Sequence, residues 1–300
     1  MRAGLRVYPY GPDPDHAGVG MEQEFMASGF PNCAGVMAGV ILALLLVVGV
    51  GAPSPASDRV IEAVVAQNTL EQAPCVQIRY ASAPFTVCEF HAGTDDIALI
   101  LNNDRGDRLG FFRVAQDHLE ARGRRLVFAM NAGMFSPDRL PIGLYVEEGV
   151  TLKALNRREG PGNFHMLPNG VFWLDPSADT RAGVSETQRF HTSAHEPEFA
   201  TQSGPMLVID GALHPRFNAG STSRHIRNGV GVEGERVVFA ISDEPVNFHT
   251  FASLFRDHLR TPNALYLDGA ISRLYAPNLD RSDSGLPLGP MVVVTTPNPE

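Results

Sequence analysis

The sequence predicts an α+β domain: a mixed β-sheet with a few helices, including two strand–helix–strand crossovers. Three observations carry that expectation. Two stretches alternate continuous apolar runs with apolar residues at helical spacing. The other apolar segments are short and bounded by turn residues, in a chain of 300 residues that holds 29 Gly and 23 Pro. From residue 73 to residue 294 there is no low-complexity break and no repeat of solenoid length. A composition of 44% hydrophobic and 19% charged residues is that of a folded globular chain.

The elements follow in order. Residues 34–52 form an apolar run with no charged residue, from Ala34 through Ile41, Leu44 and Val48 to Ala52. At about 1.5 Å per residue such a run is long enough to cross a bilayer as a helix. Ser54-Pro55-Ala56 then offers small residues for signal-peptidase cleavage before Ser57. Residues 34–56 are therefore expected to be a signal peptide or an uncleaved membrane anchor, with a buried core helix as the plain alternative. Residues 1–33 carry Asp13, Asp15, Glu22 and Glu24 against two arginines, unlike a signal n-region, so Met21, Met26 and Met37 are alternative starts. Residues 57–72 read as a linker and residues 73–300 as the domain.

Cys75-Val-Gln-Ile-Arg-Tyr80 and Phe85-Thr-Val-Cys88 resemble neighbouring strands of a hairpin that turns at residues 81–84. Cys75 and Cys88 are an even pair in a chain expected to be exported, so a disulfide is expected, with two buried thiols as the alternative. The first crossover runs from Ile97–Leu101 through Phe111, Phe112, Ala115, His118 and Leu119 to Leu126–Met130. The second runs from Val237–Ile241 through Phe248, Phe251, Leu254, Phe255 and Leu259 to Ala264–Leu267. Each is able to join parallel strands. Gly143–Glu147, Val171–Leu174, Met206–Ile209, Gly229–Val232 and Met291–Val294 read as further strands.

The apolar runs end in polar residues. Leu126–Met130 leads to Asn131 with Gly133 following, Ala264–Leu267 to Asp268 and Gly269, and Val237–Ile241 to Ser242 and Asp243. A polar side chain at the end of a rigid strand is a common mounting for a site; a simple turn or cap is the alternative at each. The 33 acidic against 24 basic residues give a formal charge of −9, which argues against nucleic acid as a partner.

Seven motifs follow one another along the domain: Asn131-Ala-Gly-Met-Phe135, Pro141-Ile-Gly-Leu-Tyr145, Gly160-Pro-Gly-Asn-Phe-His165, Pro168-Asn-Gly-Val-Phe172, Thr201-Gln-Ser-Gly-Pro-Met-Leu207, Arg224-His-Ile-Arg-Asn-Gly-Val-Gly231 and Tyr266-Leu-Asp-Gly269. In this order they resemble the phosphodiester glycosidase domain family, that of the uncovering enzyme, and most closely its bacterial exported branch, much of which carries a domain-of-unknown-function label. The likeness spans residues 75–294. It departs at Asp268-Gly-Ala-Ile-Ser272, where the family has an Asp-Gly-Gly-Gly-Ser type of sequence, so the freedom of two glycines is lost.

The resemblance implies an exported hydrolase that cleaves a sugar from a sugar-1-phosphodiester by breaking the C–O bond. The leaving phosphate monoester has its second ionisation near pH 6, so it departs with little need of protonation. Such a site must bind phosphate, place a carboxylate beside the oxocarbenium ion and activate water. Asp268 is the expected catalytic carboxylate, with Asp243 in reserve. Arg224 and Arg227 are the phosphate-binding candidates, because guanidinium groups hold phosphate oxygens in bidentate fashion. In an extended segment a spacing of three points them to opposite faces, and surface arginines are the alternative. Asn131, Gly133, Gln202, Ser203, Gly269 and Ser272 are expected to contact substrate. His165 and Asn169, in a Gly- and Pro-rich loop, are further candidates, against a structural histidine.

No metal signature is present: His191, His195 and His214 do not lie on a His-x-x-x-His helix face, and no cofactor is expected. A calcium or magnesium site assembled from scattered oxygens leaves no mark in sequence. The expected partner is an anionic carbohydrate or glycan phosphodiester, with the membrane a second one through residues 34–52 if they are uncleaved. The expected location is periplasmic or extracellular. The second functional reading is a non-catalytic envelope protein that binds an anionic glycan.

Overall fold

The computed structural model describes residues 73–193 and 195–298. The apolar run at 34–52, the cleavage site and the linker lie outside the described residues. Among the described residues, no helix is long and apolar enough to cross a membrane.

Strands dominate, in three sheets. The first contains, in spatial order, β1 (Cys75–Tyr80), β2 (Ala83–His91), β13 (Arg236–Ser242), β12 (Asn228–Glu233), β14 (Asn263–Asp268), β10 (Met206–Ile209) and β11 (Ala212–Leu213). The second runs β16 (Arg281–Ser282), β15 (Leu274–Ala276), β4 (Arg124–Asn131), β17 (Met291–Pro297), β3 (Asp96–Ile100). The third runs β6 (Val150–Lys153), β5 (Tyr145–Glu147), β9 (Phe199–Ser203), β7 (Gly170–Leu174), β8 (Ala182–Glu186). The α+β expectation holds, and both crossovers join parallel strands. β3 and β4 each pair antiparallel with β17, and β13 and β14 each pair antiparallel with β12. The members of each crossover therefore run parallel with one strand inserted between them.

Helix α1 (Phe112–Glu120) buries Phe112, Ala115 and Leu119 against Leu126, Ala129, Met291 and Val293 of the second sheet. Helix α2 (Thr187–Thr192) is one short turn whose start is capped by the Glu186 carboxylate. Helix α3 (Phe248–Ser253) begins at Asn247, whose Oδ1 accepts the Thr250 N–H at 2.9 Å, and widens into a π-turn over Leu254–His258. Phe248, Phe251 and Phe255 cover the outer face of the first sheet.

Strand alternation decides which face each residue serves. Val238 and Ala240 face α3, whereas Val237, Phe239 and Ile241 enter the central core with Phe90, Phe128, Phe172 and Val292. That core draws on all three sheets, and each fully buried Phe contributes roughly 2–3 kcal/mol of hydrophobic stabilisation. In the first hairpin Cys75 stands directly opposite Cys88, and the expected disulfide joins them.

Candidate active site

Three strand ends meet at one buried cluster. Asn131 closes β4, Asn228 opens β12 and Asp268 closes β14; each is 0–1% exposed. Asn228 is the bridge. Its Nδ2 donates to Asn131 O at 2.9 Å and Asn131 Oδ1 at 3.0 Å, and its Oδ1 accepts the Asp268 backbone N–H at 2.9 Å. The Arg273 N–H donates to Asn131 Oδ1 at 3.0 Å from the other side. The first and second sheets are thus tied together at the site by side-chain amide hydrogen bonds.

The turn after Asp268 folds back on its carboxylate. Oδ1 accepts the N–H groups of Gly269 at 2.6 Å and Ala270 at 2.9 Å, and Ser272 Oγ donates to Asp268 O at 2.7 Å. Gly269 is required by packing, since a Cβ there would fall 1.7 Å from the Tyr266 hydroxyl oxygen. Oδ2 and the neighbouring Asn131 Nδ2 are both buried, and the Asn131 amide favours the charged carboxylate from close by. Burial pushes the Asp268 carboxyl up to about 6; the N–H groups of Ala270, Gly269 and Ile271 and the Asn131 amide oppose that shift by favouring the charged form.

Gly133 and Ser203 lie against this cluster. Ser203 Oγ donates to Leu267 O at 2.8 Å, one residue before Asp268. Gly133, at φ +147°, has no room for a Cβ, which would meet Thr201 Oγ1 at 2.9 Å.

The other candidates belong to neighbouring networks. Gln202 spends its whole amide on the frame: Oε1 accepts from the N–H of Leu144 (3.0 Å) and Asn156 (2.8 Å), while Nε2 donates to Asn156 O (2.8 Å) and Thr187 Oγ1 (3.2 Å). Thr187 Oγ1 donates on to Asn169 Oδ1 at 2.8 Å, and Asn169 Nδ2 to Phe164 O at 2.9 Å. The half-buried His165 places Nδ1 2.8 Å from Arg158 O.

Asp243 is paired with Arg281 Nη1 at 2.5 Å and accepts from Thr86 Oγ1 at 3.0 Å. The same guanidinium holds Asp283, whose Oδ2 also accepts the Leu274 N–H at 3.0 Å. Arg224 is exposed and Arg227 is fully buried, in keeping with their opposite directions. Arg227 Nε donates to Val246 O at 2.9 Å, Nη2 to Ser223 O at 3.2 Å, and the guanidinium carbon lies 3.5 Å from the Phe248 ring centre.

Asn228 and Arg273 are site residues that spacing along the chain does not single out, because their partners are 40 to 142 residues away. Arg273 is 7% exposed and half wrapped by Gly285, where a Cβ would fall 2.6 Å from Nη2. Burial lowers its proton affinity, and Asp283 favours its charge. A separate cleft follows the outer edge of β3, lined by Asp96, His118, Arg122, Glu147 and Glu198, and none of the candidate residues lines it. Among the described residues, no group of three or more His, Cys, Asp or Glu side chains is placed to hold a metal ion.

Fold and site together define a β-rich α+β domain with one buried carboxylate beside a buried amide at the meeting of three strand ends. The chain belongs to the phosphodiester glycosidase family, which it matches over residues 124–295, from the start of β4 into β17. It is 36% identical over 183 residues to Uncharacterized protein YigE of Escherichia coli (strain K12), covering 61% of this chain and 70% of that protein. Among solved structures it is similar to the catalytic domain of zebrafish N-acetylglucosamine-1-phosphodiester alpha-N-acetylglucosaminidase, auto-inhibited by its pro-peptide. That likeness has a TM-score of 0.47 and 15% identity, over 73% of this chain and 81% of that one.

Proposed function

We propose that the protein is an exported glycosidase that hydrolyses a sugar-1-phosphodiester, releasing the free sugar and a phosphate monoester. The observation that carries the reading is the buried Asp268 carboxylate beside the Asn131 amide where three strand ends meet, within a family of phosphodiester glycosidases. In this reading the ionised Asp268 stabilises positive charge at the anomeric carbon as its bond to the phosphate oxygen breaks, the bonding electrons leaving with the phosphate. Water adds to that carbon and its proton passes to Asp268 or to solvent. Asn131 Nδ2 donates to a sugar hydroxyl or a phosphate oxygen. Asn228 holds both groups in place, and Arg273, whose backbone N–H donates to Asn131 Oδ1, is the candidate cation for the phosphate. The Cys75–Cys88 disulfide supports an oxidising compartment.

The test is hydrolysis of a panel of sugar-1-phosphodiesters in water enriched in oxygen-18. A phosphate monoester free of label supports C–O cleavage. Label in the phosphate would instead indicate P–O cleavage and overturn the mechanism. The second reading, glycan binding without turnover, is favoured by Ala270 and Ile271 standing where the family has glycines, and it expects binding with no product.

A further inference from the structure

We infer that the cleft along β3 takes an extended cationic peptide, which joins the second sheet as an added strand and turns lysine or arginine side chains toward the third sheet. The site is separate from the Asp268 cluster and independent of the hydrolase reading.

β3 is the last strand of its sheet, and β17 is its one strand partner among the described residues. The Ala132 N–H donates to Pro290 O at 2.9 Å, so by alternation Val292 turns its backbone groups to β4, while Met291 and Val293 turn theirs to β3. Opposite those two stand Ile100 and Ala98. Leu99, between them, therefore points its N–H and C=O away from β17, and it lines the cleft. Its neighbours in the same phase are already engaged. The Ile97 N–H turns back to Asp95 O at 3.1 Å, and the Leu101 N–H donates to the Glu147 carboxylate. A strand edge left open in this way is a template for another strand, and extended peptides add to such edges through main-chain bonds.

The cleft has a volume of about 980 Å³ and is walled by β3, by α1 and by the third sheet. Charge selects its occupant. The three arginines that line it are spent: Arg122 pairs with Asp104, Arg124 with Asp96, and Arg181 with Glu235 at 3.6 Å. Glu147, Glu148 and Glu198 line it too, and none of them enters an ion pair among the described residues. All three belong to the wall made by the third sheet, where the Gly149 N–H donates to Glu198 O at 2.8 Å and holds the β5–β6 turn beside the start of β9. A strand added to β3 continues its two faces. Ile97 and Leu99 enter the core shared with the third sheet, whereas Ile100 packs with Leu119 of α1. Side chains on the first face meet the three carboxylates and must be cationic; those on the second meet Leu119 and are apolar.

The experiment uses the full-length protein and an acetylated, fluorescently labelled peptide of about eight residues that alternates lysine and valine, longer than the five residues of β3. Its controls are the same peptide with glutamate for lysine, and two versions N-methylated at every second residue, one in each phase. Binding is expected for the lysine peptide, weakened about tenfold or more by glutamate and by methylation in one phase only. Hydrogen exchange of the Leu99 amide should slow when the peptide binds. The double variant Glu148→Lys/Glu198→Lys, at two exposed positions, should lose the peptide and keep the wild-type melting temperature. Absence of binding at about millimolar peptide, or equal binding of the glutamate peptide, would overturn the inference. So would indifference to methylation in both phases or an unchanged Leu99 exchange rate, either of which marks attraction by charge without strand addition. A Leu99 amide protected without peptide, in protein that dimerises on sedimentation, would give the edge to a second copy of the chain and reject the peptide.

Discussion

Asn228 and Asp268 face each other across adjacent antiparallel strands, and Asn228 Oδ1 accepts the Asp268 N–H at 2.9 Å while its Nδ2 grips Asn131. One amide thus sets the distance between the two groups offered to a ligand. Asn228→Asp places a second carboxylate beside Asp268, so the like charge must raise the proton affinity of the pair. The rising limb of kcat/KM against pH is expected to move to higher pH than in the wild-type protein. An unshifted limb with normal turnover would remove Asn228 from the site.

Asp268→Asn is expected to abolish most turnover and yet not weaken the fold at neutral pH. The Asp268 carboxyl titrates at about 6 in the fold against a reference of 3.8, so the native state holds the proton more tightly than the unfolded chain. Stability from this group is therefore undiminished below about pH 4 and is lost as pH rises through about 6. The amide carries no such penalty, so the variant should melt at or above the wild-type temperature at pH 7. Thermal melts at pH 4 and pH 7, together with turnover per folded molecule, check both parts. Early melting with normal turnover would return Asp268 to a turn-stabilising role.

Glu147 offers an independent control of the same sign. Burial pushes its carboxyl up to about 7 against a reference of 4.5, opposed by the bond from the Tyr145 hydroxyl at 2.9 Å. Its cost is absent below about pH 4.5 and complete above about pH 7. Glu147→Gln should raise the melting temperature at pH 8 and change it little at pH 4, with kcat unaltered.

Arg227→Lys is expected to lower stability by about 1–3 kcal/mol, because an ammonium group cannot keep the bonds to both Val246 O and Ser223 O together with the stacking on Phe248. Denaturant unfolding measures it. A raised KM with unchanged stability would instead support the phosphate-binding role expected for Arg227 from sequence.

Gly133→Ala should cost about 1–3 kcal/mol, since φ +147° is strained for any side chain and the methyl group would press on Thr201 Oγ1. Loss of turnover beyond the loss of folded protein would show that the packing of Gly133 on Thr201 of β9 holds Asn131 in register.

The sequence by itself determined the two crossovers, the first hairpin and the polar residues that end their strands, because these depend on neighbours two to four positions apart. Val237–Ile241 and Ala264–Leu267 are apolar at every position since both faces of their sheet are covered, and that is legible without coordinates. The Cys75–Cys88 pair was equally legible, as a tight hairpin leaves only one register to set. The likeness of the ordered motifs carried the family. What tertiary structure alone decided is which polar strand ends share a site. Asn131, Asn228 and Asp268 meet because β4 belongs to one sheet and β12 and β14 to another, and the packing of those sheets is set by a core assembled from distant segments. Asp243 and Asp268 both end apolar strands, yet one is paired with Arg281 and the other lies fully buried against backbone N–H groups. That difference arises from desolvation and long-range pairing, which no local spacing encodes.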